Sequence, residues 1–99
     1  MPSSHSILET EHASKYLQQM CKHFAHKVDA IYDAQKGNVA FPPGPCEMSA
    51  EDGLLIIICN SDSDEGVKVM QSIIDQHIVK FAWREKLEAL NWIDGPFKR

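Results

Sequence analysis

Six consecutive apolar residues, Leu54 to Cys59 (LLIIIC), constrain this chain more than any other stretch. A strand with one face in water alternates apolar with polar residues, and this one does not alternate at all. It therefore reads as a strand covered on both sides, either central in a sheet or held between a helix and a partner strand. The run is far short of the roughly 20 apolar residues that a membrane-spanning helix needs.

The segments around it supply the partners. Ser4 to Glu9 reads as a first strand. Thr10 reads as the N-cap of a helix over residues 11–26, with Glu11 at the positive end of its dipole. Ala13, Leu17, Met20, Cys21 and Phe24 recur at helical spacing as its buried stripe, with Tyr16 on the flank. His12, Tyr16, His23 and Lys27 follow one ridge beside that stripe. Val28 to Asp33 reads as a strand and Asn38 to Phe41 as its partner. Between them Lys36-Gly37-Asn38 is the expected turn, with Gly37 supplying positive φ. Pro42-Pro43-Gly44-Pro45 is expected to stop regular structure, because proline removes ladder donors. Cys46 to Ser49 reads as a brief strand, and Glu51-Asp52-Gly53 as a turn into the apolar run. A second helix is predicted from about Asp64 to Lys86, followed by a short helical turn from Leu87 to Trp92.

Strands joined by short turns, with a helix after the first strand and another at the end, imply an α+β two-layer sandwich. The expected order is β-α-β-β-(β)-β-α: a mostly antiparallel sheet of four to five strands with two helices on one face. Residues 1–99 read as a single domain. The composition, 43% hydrophobic and 24% charged, belongs to a globular chain. Net charge is −4 and the Lys and Arg residues are scattered, which argues against nucleic-acid binding. The three cysteines, Cys21, Cys46 and Cys59, form no CxxC or Cys/His pair, so the expectation is buried, reduced thiols. The start MPSSHSILETEH has no basic segment leading into a long apolar run. A cytoplasmic location without membrane attachment is therefore expected.

The most distinctive stretch is His77 to Glu85 (HIVKFAWRE). On a helical projection Val67, Met70, Ile73, Ile74, Ile78 and Phe81 make one apolar stripe with His77 at its centre. Arg84 and Glu85 lie on its two edges. With ETEHASKYLQQMCKHFAHKV at 9–28, FPPGPC at 41–46, HIVKFAWREKL at 77–87 and the closing Trp92, the chain resembles a family of short bacterial proteins. That family is known only as a domain of unknown function, number 2218. The resemblance covers nearly the whole chain and implies a bacterial single-domain cytosolic protein with no established activity.

Three candidate sites follow from the residue types. His23 and His77 sit at apolar stripes of helices expected to be neighbours, so they form a candidate pair for a divalent metal, with Cys21 or Glu9 as a third ligand. The alternative is a pair of core-edge histidines bonded to main-chain carbonyls. Lys27, Arg84 and His77 form a candidate anion site, because a guanidinium fork suits carboxylate or phosphate. Here the alternative is an internal bridge from Arg84 to Glu88, Asp29 or Glu9. Cys46 is a third candidate, as an exposed thiol nucleophile near a histidine, although a free Cys is more often a small buried hydrophobe. On the outward face of the second helix, Val79 and Trp83 are four apart and form an apolar patch. They read as a homodimer or partner interface, or as a surface covered by the segment after the helix.

No GxGxxG, P-loop, GxSxG or HExxH occurs, and no catalytic residue is assigned. The leading expectation is a non-enzymatic module. It would bind a small anion or a metal-bound ligand in one pocket between helices and sheet, lined by Tyr16, His23, Lys27, His77 and Arg84, with Glu85 orienting Arg84. The competing expectation is a homodimeric interaction module in which those polar residues are structural. An enzyme with His23 or His77 as general base is the third reading.

Overall fold

The computed structural model describes residues 2–97. In chain order the elements are β1 (Ser3–Glu9), α1 (Ala13–Phe24), β2 (Ala30–Tyr32), β3 (Lys36–Phe41), β4 (Gly44–Glu51), β5 (Leu54–Asn60), α2 (Asp64–Phe81) and β6 (Trp92–Asp94). A 3₁₀ turn, Trp83–Glu85, follows α2. The strands form one antiparallel sheet in the order β2-β3-β4-β5-β1-β6. This is the α+β sandwich the sequence implies, with six strands where four to five were expected.

The apolar run occupies β5, between β4 and β1, where a strand without alternation belongs. Leu55, Ile57 and Cys59 point into the layer shared with the helices. Their cross-strand neighbours there are Ala50, Met48 and Cys46 on β4 and Leu8, Ser6 and Ser4 on β1. Leu17, Met20 and Cys21 of α1 and Met70, Ile74 and Ile78 of α2 fill the same layer and are fully buried. The two serines on β1 stay buried because each has a partner. Gln71 donates to Ser4 Oγ at 2.8 Å, and Ser6 Oγ donates to the Asn91 carbonyl at 2.9 Å.

Several local expectations are corrected. Gly37 is not a turn residue; it is buried as the second residue of β3, paired with Met48, with no positive φ. The turn lies earlier, where Asp33 Oδ1 accepts from the amides of Gln35 (2.7 Å) and Lys36 (2.8 Å). Gly37 is small because Cys21 sits over it: a Cβ there would stand 2.7 Å from Cys21 Sγ. The proline segment does not stop the sheet either. Phe41 pairs with Gly44, so Pro42 and Pro43 form the tip of a hairpin and Pro45 lies within β4, opposite Ala40. Thr10 does not cap α1, which starts at Ala13 after His12; its hydroxyl accepts from the His12 amide at 3.1 Å.

Helix α2 begins as expected, with the Ser63 side chain accepting from the Gly66 amide at 3.0 Å. It stops at Phe81, five residues before the predicted Lys86. The backbone leaves helical geometry at Ala82, and Lys86 takes the left-handed conformation at φ 56°. Residues 87–92 form no helical turn. Asp75 Oδ1 instead accepts from the Leu90 amide and the Trp92 indole, both at 3.0 Å, and guides the chain into β6 alongside β1.

Candidate functional site

The helices cross the sheet in opposite directions. The end of α1 (His23, Phe24) therefore meets the last turns of α2 (His77, Phe81), and the start of α1 (Tyr16) meets the 3₁₀ turn beyond. This arrangement divides the six predicted ligand-binding residues between two places.

At the first place the His23 and His77 rings lie 4.7 Å apart, centre to centre, at 50°. Phe24 stands edge-on to His77 at 4.8 Å and packs on Phe41 behind it, while Phe81 meets His23 at 5.9 Å. His77 Nδ1 donates to the Ile73 carbonyl at 2.6 Å, one helical turn back, so Nε2 is the ring atom left to accept. Both imidazoles are half-buried. Burial pulls the His23 pKa below the ordinary imidazole value, and the nearby charges of His77, Lys27, His26 and Lys80 pull it further. Every charged neighbour acting on His23 is basic. Among the described residues the one ion pair is Glu11 with His12, at 3.4 Å, so none of these cations has a carboxylate in ion-pairing distance. Lys27 lies just beyond α1, its amide bonded to the Phe24 carbonyl at 2.9 Å, and is exposed.

The second place is a polar tie. Glu85 Oε2 accepts from Tyr16 Oη at 3.0 Å and from Thr10 Oγ1 at 3.2 Å. Burial raises the Tyr16 pKa and the Glu85 carboxylate raises it further, while the Thr10 hydroxyl and, less, Arg84 oppose the rise. The phenol is a proton donor to Glu85, and the Glu85 carboxylate holds Tyr16 and Thr10 where it was expected to orient Arg84. Arg84 is exposed, with its guanidinium carbon 5.1 Å from the centre of the Trp83 ring. The bridges anticipated from Arg84 to Glu88, Asp29 or Glu9 do not form.

Among the described residues, the side chains expected to line one pocket between helices and sheet thus fall in two separate places. Five grooves on the surface of the described residues are lined by none of Tyr16, His23, His77, Arg84 or Glu85. Lys27 borders a shallow one with His26 and Asp29. The third metal ligand also fails. Cys21 is fully buried over Gly37, Glu9 lies on β1 opposite Leu54, and no three His, Cys, Asp or Glu side chains converge among the described residues.

All three cysteines are free and buried. Burial pushes the Cys21 thiol up to about 11, and the adjoining Cys59 thiol together with burial holds Cys46 well above the ordinary range. The exposed Cys46 nucleophile is thus overturned: that thiol is protonated and sealed. Val79 is half-buried against the core and borders a groove of about 600 Å³ with Asp75, Gln76 and Glu88, whereas Trp83 keeps 66% of its surface exposed. The sequence reading assigned no role to Asp75 or Lys80 and gave Thr10 a capping role instead of its bond to Glu85. Lys80 had a signal, since it stands three residues after His77 on one helix. Asp75 and Thr10 had none, because their partners are remote in the chain.

The model of an uncharacterised protein family conserved in bacteria, DUF2218, matches residues 5–92. A solved structure is also similar: the NMR structure of PA4090 from Pseudomonas aeruginosa, at 28% identity and a TM-score of 0.76, covering 97% of each chain. No curated protein matches. No helix among the described residues is long and apolar enough to cross a membrane.

Proposed function

This chain belongs to the DUF2218 family of bacterial domains, and we propose that it is a small binding module that takes up an oxyanion at the cluster of His23, His26, Lys27, His77 and Lys80. One observation carries the reading: two imidazoles 4.7 Å apart, with His26, Lys27 and Lys80 as the charges acting on His23 and no carboxylate in ion-pairing distance of them among the described residues. A divalent cation would be repelled by the same lysines. A phosphate or carboxylate would supply the missing negative charge and accept hydrogen bonds from whichever ring nitrogens carry protons. Phe24 and Phe81 pack against the rings, which lowers the local dielectric and strengthens the attraction. Arg84, Tyr16 and Glu85 take no part in this version of the site.

The reading makes binding proton-linked. The His23 pKa is lowered on folding, so the unfolded chain takes up its proton first as pH falls. The contribution is neutral well above the ordinary imidazole value of about 6.5 and destabilising below it. An anion favours the protonated ring and reverses that loss. The test is a series of thermal melts between pH 8 and pH 5, with and without millimolar phosphate, on wild type and on His23→Gln, Lys27→Gln and Lys80→Gln. Wild type is expected to lose Tm toward pH 5 and to recover it with phosphate. His23→Gln should flatten the profile, and each lysine variant should weaken phosphate by about fivefold. Equal phosphate response in all four proteins removes the proposal.

A second reading is favoured by Trp83, whose exposure and stacked Arg84 have the character of an interface anchor. In that reading the chain is a homodimeric or partner-binding module and the basic cluster serves only the carboxyl end of α1.

A further inference from the structure

The strand alternation that builds the core also assembles a second surface, on the side of the sheet away from both helices. The register places Ile31, Asn38, Glu47, Ile58, His5 and Ile93 in one transverse row across all six strands. Lys36 and Ser49 are paired one step along, on the same side. After β6 the chain turns at Gly95, whose amide donates to the Ser3 carbonyl at 2.9 Å and whose φ is 106°. His5 Nδ1 donates to the Gly95 carbonyl at 3.0 Å, and Phe97 meets the His5 ring edge-on at 5.5 Å. Phe97 thereby walls a groove of about 330 Å³ with Lys36, Asn38, Glu47, Ser49 and Ile58. That volume suits a small metabolite.

The chemistry of the lining is specific. Lys36 and Glu47 are diagonal neighbours on adjacent strands, roughly 7 Å apart at the backbone. They carry opposite charge, yet among the described residues neither is in an ion pair. Asp33 is the charged neighbour of Lys36, and one of its oxygens is already held by two backbone amides. A lone anion would meet Glu47 and a lone cation Lys36. A neutral apolar ligand would strip water from both charges without replacing it. A molecule with its own separated charges satisfies the pair.

We infer that this groove binds a small zwitterion of the free amino-acid class. Its carboxylate lies at Lys36 and its ammonium at Glu47; Asn38 and Ser49 complete the polar contacts, and its side chain rests on Ile58 and Phe97. The groove is on the opposite side of the sheet from the basic cluster, so it stands or falls independently of the oxyanion proposal. The experiment titrates L-leucine, L-leucinamide and N-acetyl-L-leucine into nitrogen-labelled protein, up to about 20 mM, and follows backbone amide resonances. L-leucine is expected to shift Asn38, Glu47 and Ser49 saturably, with each blocked form at least about tenfold weaker. Lys36→Gln and Glu47→Gln, both at exposed positions and checked for native spectra, should abolish the leucine response. The inference is overturned if L-leucine gives no saturable shift, if either blocked form binds as well, or if both variants respond like wild type.

Discussion

Gly37 and Cys21 form the tightest coupling at the level of single residues. A glycine in a strand ordinarily weakens it, and replacement by alanine at an acceptable φ stabilises by restricting the unfolded chain, by about 0.4–1 kcal/mol. Here the added methyl would meet a sulfur at 2.7 Å in a fully packed layer, and that clash sets the sign. Gly37→Ala should cost about 1–3 kcal/mol in a urea titration. Cys21→Ala made in the same chain should restore most of the loss, because it removes the atom that is struck. Additive losses in the double mutant would show that the glycine is there for another reason. Nothing in the local sequence forecasts this pairing: KGN reads as a turn wherever it occurs, and only the approach of α1 makes Gly37 a packing residue.

Between elements, the segment that leaves α2 shows where helical periodicity misleads. The pattern of the second helix continues through Lys86, yet the chain turns at Ala82. The departure lets Glu85 collect hydrogen bonds from Tyr16 and Thr10, and lets Asp75 receive Leu90 and Trp92. These remote bonds outweigh the few tenths of a kcal/mol per residue that propensity offers for another helical turn. Asp75→Ala strands a backbone amide and an indole donor, and its expected cost is about 1–3 kcal/mol. The loss should be concentrated in β6: amide exchange at Trp92 and Asp94 accelerates more than in β4 or β5. Asp75→Asn keeps an acceptor and should retain most of the protection. Uniform acceleration across the sheet would mean that Asp75 supports the whole core and not this edge.

For the molecule as a whole, the antiparallel run of the two helices decides which polar residues become neighbours. It joins His23 to His77 and Tyr16 to Glu85, and it leaves Trp83 on the outside with Arg84 beside it. If Trp83 anchors a homodimer, sedimentation equilibrium should show concentration-dependent association of wild type and monomers for Trp83→Ala. At concentrations low enough for wild type to be monomeric the two proteins should melt nearly alike, because an exposed side chain away from the core contributes within about 0.5 kcal/mol. A wild-type chain that stays monomeric at high concentration retires that assembly.

What the amino-acid sequence determined by itself was everything that repeats at short range. The unalternating run at 54–59 had to be an inner strand, and the 3.6-residue stripes had to be helices over one face. The start of the second helix near Asp64 was legible, and so were His23 and His77 as polar residues at apolar stripes. Tertiary structure decided what depends on contacts distant in the chain. It set the role of Gly37, the end of α2, the edge strand β6 and the division of one imagined pocket into a basic cluster and a Tyr16–Thr10–Glu85 tie. The physical reason is that periodicity records which face of an element is buried, whereas a hydrogen bond between residues 16 and 85 leaves no periodic trace for either one to show.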